Sequence, residues 1–211
     1  MKIGVTMKKF YLAMLAVLFF ASSEVNSVEV LVEAKAGAFF PSDKVFRDIY
    51  GRHGGGIFGG EITVPVWCGI APWISADYFC NEGRSIGDHD ATRVIIVPIG
   101  FGLKYMYELC VCDWNVDLYA GAGATYNYFK NRDHSEFVIE HPHEWGWGGI
   151  VKVGGIVNLD CGLFLDIFAN YSFLKLDFEK EHTEDDGFVV RNDAKLSGFA
   201  IGVGLGYNFC L

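Results

Sequence analysis

The chain has 211 residues, with 17 lysine and arginine residues against 26 aspartate and glutamate residues and a formal charge of −9. An acidic chain without a block of basic residues lacks the clustered positive charge that phosphate binding requires, which argues against a nucleic-acid partner. Hydrophobic residues make up 51% of the chain and its mean hydropathy is +0.24. Only one stretch approaches the roughly 20 consecutive apolar residues of a helical membrane span, so the apolar residues are spread finely along the chain.

The N-terminal segment has the features of a secretory signal peptide. Two lysines precede an apolar run from Phe10 to Ala21, which fits the ~7–15 residues of a signal h-region and is short for a span. Small residues suited to cleavage continue to Ser23. We therefore predict a signal peptide over residues 1–23, export of the chain, and one domain over residues 24–211. An uncleaved N-terminal anchor is the alternative.

From Val28 onward, apolar residues alternate with small or polar residues, and this period of two indicates β-strands with two different faces. In the clearest segment one face consists of Trp114, Val116, Leu118, Ala120, Ala122, Ala124, Tyr126 and Tyr128. The same alternation predicts eight strands, at roughly 28–40, 57–67, 70–81, 91–107, 113–129, 146–158, 162–178 and 195–211. An even strand number is typical of bacterial outer-membrane barrels.

The charges distinguish a membrane barrel from a soluble sandwich. The face opposite the uniformly apolar one carries Glu33, Lys35, Glu61, Asp77, Lys104, Asp117, Lys152 and Asp166. A sandwich would bury these charges in its core, which is prohibitively costly unless each is paired. A closed barrel instead turns the aliphatic face to lipid and the charges to the lumen, and it satisfies every backbone group. We predict an all-β, eight-stranded, antiparallel, up-and-down transmembrane β-barrel whose lumen holds these residues as a paired network.

The connections between the predicted strands fall into two classes. Long polar segments cover 41–56, 82–90, 130–145 and 179–194, whereas the connections near Cys68, Cys110 to Asp113 and Asp160 to Gly162 are very short. Outer-membrane barrels have short periplasmic turns and longer external loops, so we predict that the long segments are extracellular. Aromatic residues near the strand ends are expected to form the interfacial girdles, and those assigned to the short-turn side include Trp67, Trp73, Tyr105, Tyr107, Trp114, Tyr207 and Phe209.

Three segments resemble the small eight-stranded outer-membrane barrels of the OmpA and OmpW type. They are Asp117-Leu-Tyr-Ala-Gly-Ala-Gly-Ala-Thr-Tyr-Asn-Tyr-Phe129, Gly148-Gly-Ile-Val-Lys-Val-Gly-Gly-Ile-Val157 and Gly202-Val-Gly-Leu-Gly-Tyr-Asn-Phe209. The resemblance covers most of the chain after the predicted signal peptide. It implies a bacterial outer-membrane location, contact with outer-membrane lipid and lipopolysaccharide, and insertion by the barrel assembly machinery. The OmpW type further implies a hydrophobic groove for small apolar molecules in the outer half of the barrel.

The end of the chain departs from the pattern of this family. Such barrels usually end in a phenylalanine that the assembly machinery recognises, whereas here Phe209 is followed by Cys210 and Leu211. Leu211 falls in the outward phase of the strand, so we expect it to take part in the assembly signal.

Cysteines gather at the predicted periplasmic rim. Five of the six lie at short turns or at the C-terminus: Cys68, Cys110, Cys112, Cys161 and Cys210. Export to an oxidising compartment makes disulfides possible, and an odd number at one rim leaves at least one for an intermolecular bridge or a free thiol. We expect disulfides of some kind, including bridges to other envelope proteins. Reduced cysteines serving as small turn residues are the alternative.

All six histidines fall in the predicted external loops. His141 and His143, with a glutamate on either side, have ligand types that suit Zn²⁺ or Cu²⁺ but lack the spacing of a known closed site, so solvated polar loops are the simpler interpretation. The run His134-Ser135-Glu136 contains the residue types of a catalytic triad. Adjacent residues of an extended segment alternate in direction and cannot form a triad, so we predict no catalytic residues and no cofactor.

The predicted lumen leaves two main function classes. Eight strands enclose an interior just wide enough for side chains, so a paired charge network would block flow and indicates a structural or surface-interaction barrel. The inward face is also rich in glycine, at Gly121, Gly123, Gly202, Gly204 and Gly206. These glycines either leave room for a small-solute pore or apolar ligand, or make space for large residues opposite. A lipid-modifying enzyme is a minor third class.

Overall fold

The computed structural model describes residues 28–42, 54–84, 91–111, 114–133, 143–178, 192–195 and 197–211. Within these residues the strands are β1 (Glu29–Pro41), β2 (Gly55–Thr63), β3 (Ile70–Arg84), β4 (Ala91–Val111), β5 (Trp114–Asp133), β6 (His143–Asn158), β7 (Leu163–Phe178), β8 (Asn192–Lys195) and β9 (Gly198–Cys210). A 3₁₀ turn, Asp160–Gly162, joins β6 to β7. The predicted signal peptide lies outside the described residues.

The strands close into an antiparallel barrel. From β1 to β7 each strand pairs with the next, and β9 pairs with both β7 and β1. The closing pair runs the whole length of β1, from Glu29 opposite Cys210 to Pro41 opposite Gly198. β8 and β9 both pair with β7, and they do so in one continuous register. They are therefore two parts of one barrel strand, separated by a short break. The barrel therefore has eight strands, which confirms the predicted fold class.

Several strands run further than the alternation of their side chains predicts. β4 and β5 remain paired as far as Thr92 opposite Asp133, β3 continues to Arg84, and β6 begins at His143. Strand residues thus occupy parts of the predicted loops, which were 41–56, 82–90, 130–145 and 179–194. Backbone pairing needs no apolar side chain, so the ladders extend past the apolar face. In contrast, β2 ends at Thr63 and not near 67, before Pro65, which has no N–H for a ladder hydrogen bond.

Two of the short connections contain a Cys-Gly pair in the left-handed conformation. In the β2–β3 turn, Cys68 has a φ of 48° and Gly69 a φ of 80°. Before β7, Cys161 has a φ of 67° and Gly162 a φ of 80°. Positive φ at two successive residues is the geometry of a type I′ turn, whose twist matches that of the paired strands.

The outer face of the barrel is apolar around its circumference. Each of the eight barrel strands contributes at least one large exposed hydrophobic residue, such as Val32, Phe58, Ile74, Leu103, Leu118, Val153, Ile167 and Val203. A continuous apolar surface of this kind exceeds the patches of a few hundred Å² that soluble monomers expose. Among the described residues, no helix has the length and apolar character needed to cross a membrane.

The interior is filled in three layers. Nearest the short turns lies an apolar layer of Leu31, Tyr119, Ile156, Phe164 and Phe168. The charged residues occupy the middle. On the side of the long connections lies a second apolar layer, formed by Phe39, Phe79, Val94, Ile96, Phe129, Leu174 and Ala200. The alternation of residues placed the charges inside but did not predict these two apolar layers around them.

Candidate functional site

Glu61 on β2 is the centre of the charged layer. Its carboxylate accepts hydrogen bonds from the Nζ atoms of Lys35 on β1 at 2.6 Å, Lys104 on β4 at 2.9 Å and Lys152 on β6 at 2.5 Å. All four side chains are at most 4% exposed. One buried carboxylate therefore links four strands across the lumen.

Further carboxyl groups surround the lysines. Oε1 of Glu33 lies 3.9 Å from Nζ of Lys35. Asp166 on β7 accepts a hydrogen bond of 3.0 Å from the hydroxyl group of Tyr119 on β5. Asp77 on β3 interacts electrostatically with Lys35 and Lys152, so four carboxyl groups face three lysines in this layer. Oε2 of Glu33 and Oδ1 of Asp166 are buried without a hydrogen-bond partner in the described part of the chain.

Aromatic rings line the other sides of the lysines. Nζ of Lys152 lies 3.5 Å from the ring centroid of Trp73, Lys104 lies 4.6 Å from that of Tyr119, and Lys35 lies 5.4 Å from that of Phe168. The negative face of an aromatic ring attracts a desolvated ammonium group. The placement of Trp73 in the outer girdle was wrong: it lies on the same face of β3 as Ser75 and is only 3% exposed.

The glycines on the inward face make space for large side chains. A Cβ atom on Gly206 would meet the ring of Phe164, one on Gly202 the ring of Phe168, and one on Gly123 the ring of Trp73. At Gly204 a Cβ would lie 2.8 Å from Oε2 of Glu33. The space over these glycines is filled by side chains from nearby strands, so they do not form an open channel there.

One of the predicted lumen residues lies apart from Glu61. Asp117 is nearer the short turns, where it accepts a hydrogen bond of 2.7 Å from Nδ2 of Asn158. Asp77 lines a cavity on the side of the long connections and interacts electrostatically with Lys35 and Lys152. The structure therefore brings seven of the eight predicted residues together: Glu33, Lys35, Glu61, Asp77, Lys104, Lys152 and Asp166.

This cavity has a volume of about 50 Å³ and lies between the charged layer and the long connections. Its apolar lining includes Phe39, Ile57, Phe79, Ile96 and Leu174, and its polar lining includes Ser75, Asp77, Thr125, Asn127 and Asn170. Nδ2 of Asn127 donates a hydrogen bond of 2.9 Å to Oγ1 of Thr125, whereas Oδ1 of Asn170 is buried and has no partner among the described residues. The volume is sufficient for a few water molecules or a small part of a ligand.

Four of the predicted cysteines are exposed free thiols at the short-turn end: Cys68, Cys110, Cys161 and Cys210. Disulfides of some kind were expected, and none is formed among these four cysteines. Cys112 lies outside the described residues, as does His141, and of His143 only the backbone is described, at the start of β6. The metal hypothesis for these histidines stays a prediction.

Neither a protein-family model nor a curated protein matches the chain. Solved structures do match. Neisserial surface protein A has a TM-score of 0.57 and 14% identity, over 86% of this chain and 97% of that one. OprG of Pseudomonas aeruginosa has a TM-score of 0.57 and 14% identity, over 86% of this chain and 95% of that one. Outer membrane protein W of E. coli has a TM-score of 0.53 and 16% identity, over 88% of this chain and 100% of that one. At identities this low the similarity shows the fold alone. The fold is that of the small eight-stranded outer-membrane β-barrels that the three sequence segments resemble.

Proposed function

We propose that this chain is an integral outer-membrane β-barrel with a closed lumen and a structural or surface-interaction role. The observation that carries the proposal is the cluster of Lys35, Lys104 and Lys152 on Glu61, buried across the middle of the lumen. The fold, which it shares with outer-membrane proteins, and the apolar outer face support the membrane location. In this proposal the predicted signal peptide directs export and the long connections face outward.

The layered interior explains why the lumen would not conduct. A hydrated ion would have to cross two apolar layers, and it would have to displace a buried ion pair between them. Removing one partner of a buried pair costs about 3–5 kcal/mol. Function would then reside on the outer surface and in the connections.

Single-channel recording tests the closed lumen. Purified protein is reconstituted into a planar bilayer, and heat-modifiable electrophoretic mobility of the same sample shows that the barrel is folded. We expect no conductance steps. Regular steps from heat-modifiable protein would contradict the proposal, because they would show that ions pass the charged layer.

The cavity supports a second candidate function, the binding of small apolar molecules. Its lining of Phe39, Ile57, Phe79, Ile96 and Leu174 would accept an apolar group, and it lies in the half of the barrel where the OmpW-type resemblance implies a groove. Binding of a naphthalene-based fluorescent dye to the folded protein tests this function. Ala200→Phe should fill the cavity and abolish binding, whereas Gly149→Ala, whose Cβ has no neighbour within 3.8 Å, should leave it unchanged. Equal dye binding by both variants would exclude this site.

A lipid-modifying enzyme is the least supported class. Its candidate residues, His134, Ser135 and Glu136, lie outside the described residues, and the proposal assigns no catalytic role. Zinc binding by His141 and His143 can be tested by calorimetric titration. An absence of binding heat would exclude the zinc site.

A further inference from the structure

Thiols are distributed around the short-turn end of the barrel. Cys68 lies in the β2–β3 turn, Cys110 at the end of β4, Cys161 in the β6–β7 turn and Cys210 at the end of β9. All four are exposed and free. We call these four residues the thiol rim.

The geometry of the rim restricts pairing within the chain. Ile70 lies opposite Tyr105, so Cys68 comes level with Tyr107, about 10 Å along β4 from Cys110 at ~3.4 Å per residue. Disulfides require Cα atoms within about 7 Å. Cys161 and Cys210 are nearer in register, because Leu163 lies opposite Tyr207, yet both thiols are free in the structure. The register therefore excludes a Cys68–Cys110 bridge, and all four thiols of the rim are free to react with another molecule.

The turns hold cysteine where other residues would be more stable. Cys68 and Cys161 both occupy the first left-handed position of a Cys-Gly turn, a position that favours asparagine, aspartate or glycine. A left-handed conformation costs an ordinary residue about 1–2 kcal/mol. The same costly choice at two separate turns indicates that the thiol itself is used, since backbone outliers concentrate at functional sites.

The barrel end that carries the thiol rim is acidic. Its segments 28–30, 64–70, 106–117, 156–163 and 208–211 contain no lysine or arginine. Glu29 lies directly opposite Cys210, and Glu108 is two residues from Cys110. Glu108 also lies directly opposite Asp117 on β5, although like charges at such positions destabilise a sheet. An approaching surface of positive charge would relieve this repulsion.

We propose that the thiol rim forms intermolecular disulfides with a positively charged, cysteine-bearing protein. The inference relies on the proposed function only for the compartment, which would be the periplasm. Each link forms by thiol–disulfide exchange with a donor protein disulfide. A rim thiolate attacks one donor sulfur, the donor S–S bond breaks, and the partner thiolate then attacks the rim sulfur and releases the donor as a dithiol. The two protons that the rim and partner thiols lose are taken up, through solvent, by the two donor thiolates, so the rim and partner are oxidised while the donor is reduced.

The test uses two synthetic peptides and the full chain folded in detergent micelles. Both peptides have the same length and one cysteine activated as a thionitrobenzoate disulfide, but one is rich in lysine and the other in glutamate. The absorbance of released thionitrobenzoate gives the rate of exchange. We expect the lysine peptide to react about tenfold faster at low ionic strength, with the difference falling to about twofold in 1 M salt. Equal rates at low salt would overturn the proposal.

Variants separate charge from thiol chemistry. Glu108→Gln combined with Asp117→Asn should remove most of the preference for the lysine peptide while leaving the thiols reactive. Serine at the four rim positions and at Cys112 should reduce exchange to the rate supported by Cys80 alone, which a variant with serine at Cys80 as well measures. Covalent dimers of the chain, or a Cys161–Cys210 bridge, formed when the protein alone meets oxidised glutathione would overturn the proposed partner. Loss of heat-modifiable mobility in the unsubstituted protein would instead contradict the barrel.

Discussion

At the scale of single residues, the charged layer shows what the alternation of side chains predicts and what it does not predict. The period of two places Glu61 and Lys152 on the inward face, and the structure buries both. It does not reveal that Glu61 collects three lysines, because that depends on how strands distant in sequence are aligned across the lumen. Trp73 is a different case: its place near a strand end suggested a girdle, although it shares its face of β3 with Asp77, which the alternation had placed inward.

Glu61→Gln should be strongly destabilising. The substitution removes the carboxylate that Lys35, Lys104 and Lys152 share, so the lysines lose their common buried partner. We expect a loss of about 3–5 kcal/mol in the free energy of unfolding, measured by urea titration in lipid vesicles with electrophoretic mobility as the readout. The matched control is Asp117→Asn, which alters one partly buried hydrogen bond and should cost about 0.5–1.5 kcal/mol. A similar loss for both variants would show that Glu61 is not the centre of the layer.

At the scale of elements, the strands were predictable and their ends were not. Each strand has one lipid-type face and one filled face, which the sequence displays directly. The ladder of β4 and β5 nevertheless continues to Thr92 and Asp133. Its hydrogen bonds join backbone groups, so they do not require the alternating side chains from which the strands were predicted. Likewise, only the register that β8 and β9 share against β7 shows that they form one interrupted strand.

The contact of β9 with β7 depends on a fit between Gly206 and Phe164. The two residues are register partners, and a Cβ on Gly206 would lie less than 3 Å from the Phe164 ring. Gly206→Val should therefore prevent or severely weaken folding, by several kcal/mol. Adding Phe164→Ala should restore heat-modifiable mobility, since it removes the colliding ring. Failure of the double variant to recover any folded protein would contradict this account of the glycine.

At the scale of the whole molecule, the class of fold followed from the conflict between an apolar face and opposing charges. Closure resolves that conflict, and the eight-stranded barrel confirms it. The two apolar layers inside were not predicted, because inward positions such as Phe79 and Leu174 are apolar like the lipid-facing ones and reduce the contrast between faces. A filled interior of this kind favours a rigid scaffold over a channel.

Quenching by brominated lipids tests the placement of the barrel in a membrane. Trp147 is 64% exposed on the outer face of β6, whereas Trp73 is 3% exposed within the lumen. In variants that retain one tryptophan each, we expect brominated acyl chains to quench the fluorescence of Trp147 strongly and that of Trp73 weakly. Acrylamide quenching of both serves as the control for access from water. Equal quenching by the lipid would contradict the membrane location.

The pairing of β1 with β9 determines when the barrel can close during synthesis and folding. Because these are the first and last barrel strands, β1 keeps an open edge until the residues from Gly198 onward have been synthesised. Open edges pair readily with other chains. The barrel therefore cannot close before its last strand has been synthesised, and we expect the polypeptide to reach its membrane unclosed, under the protection of a chaperone. Its stability is then acquired late and all at once, when the two ends of the sheet meet.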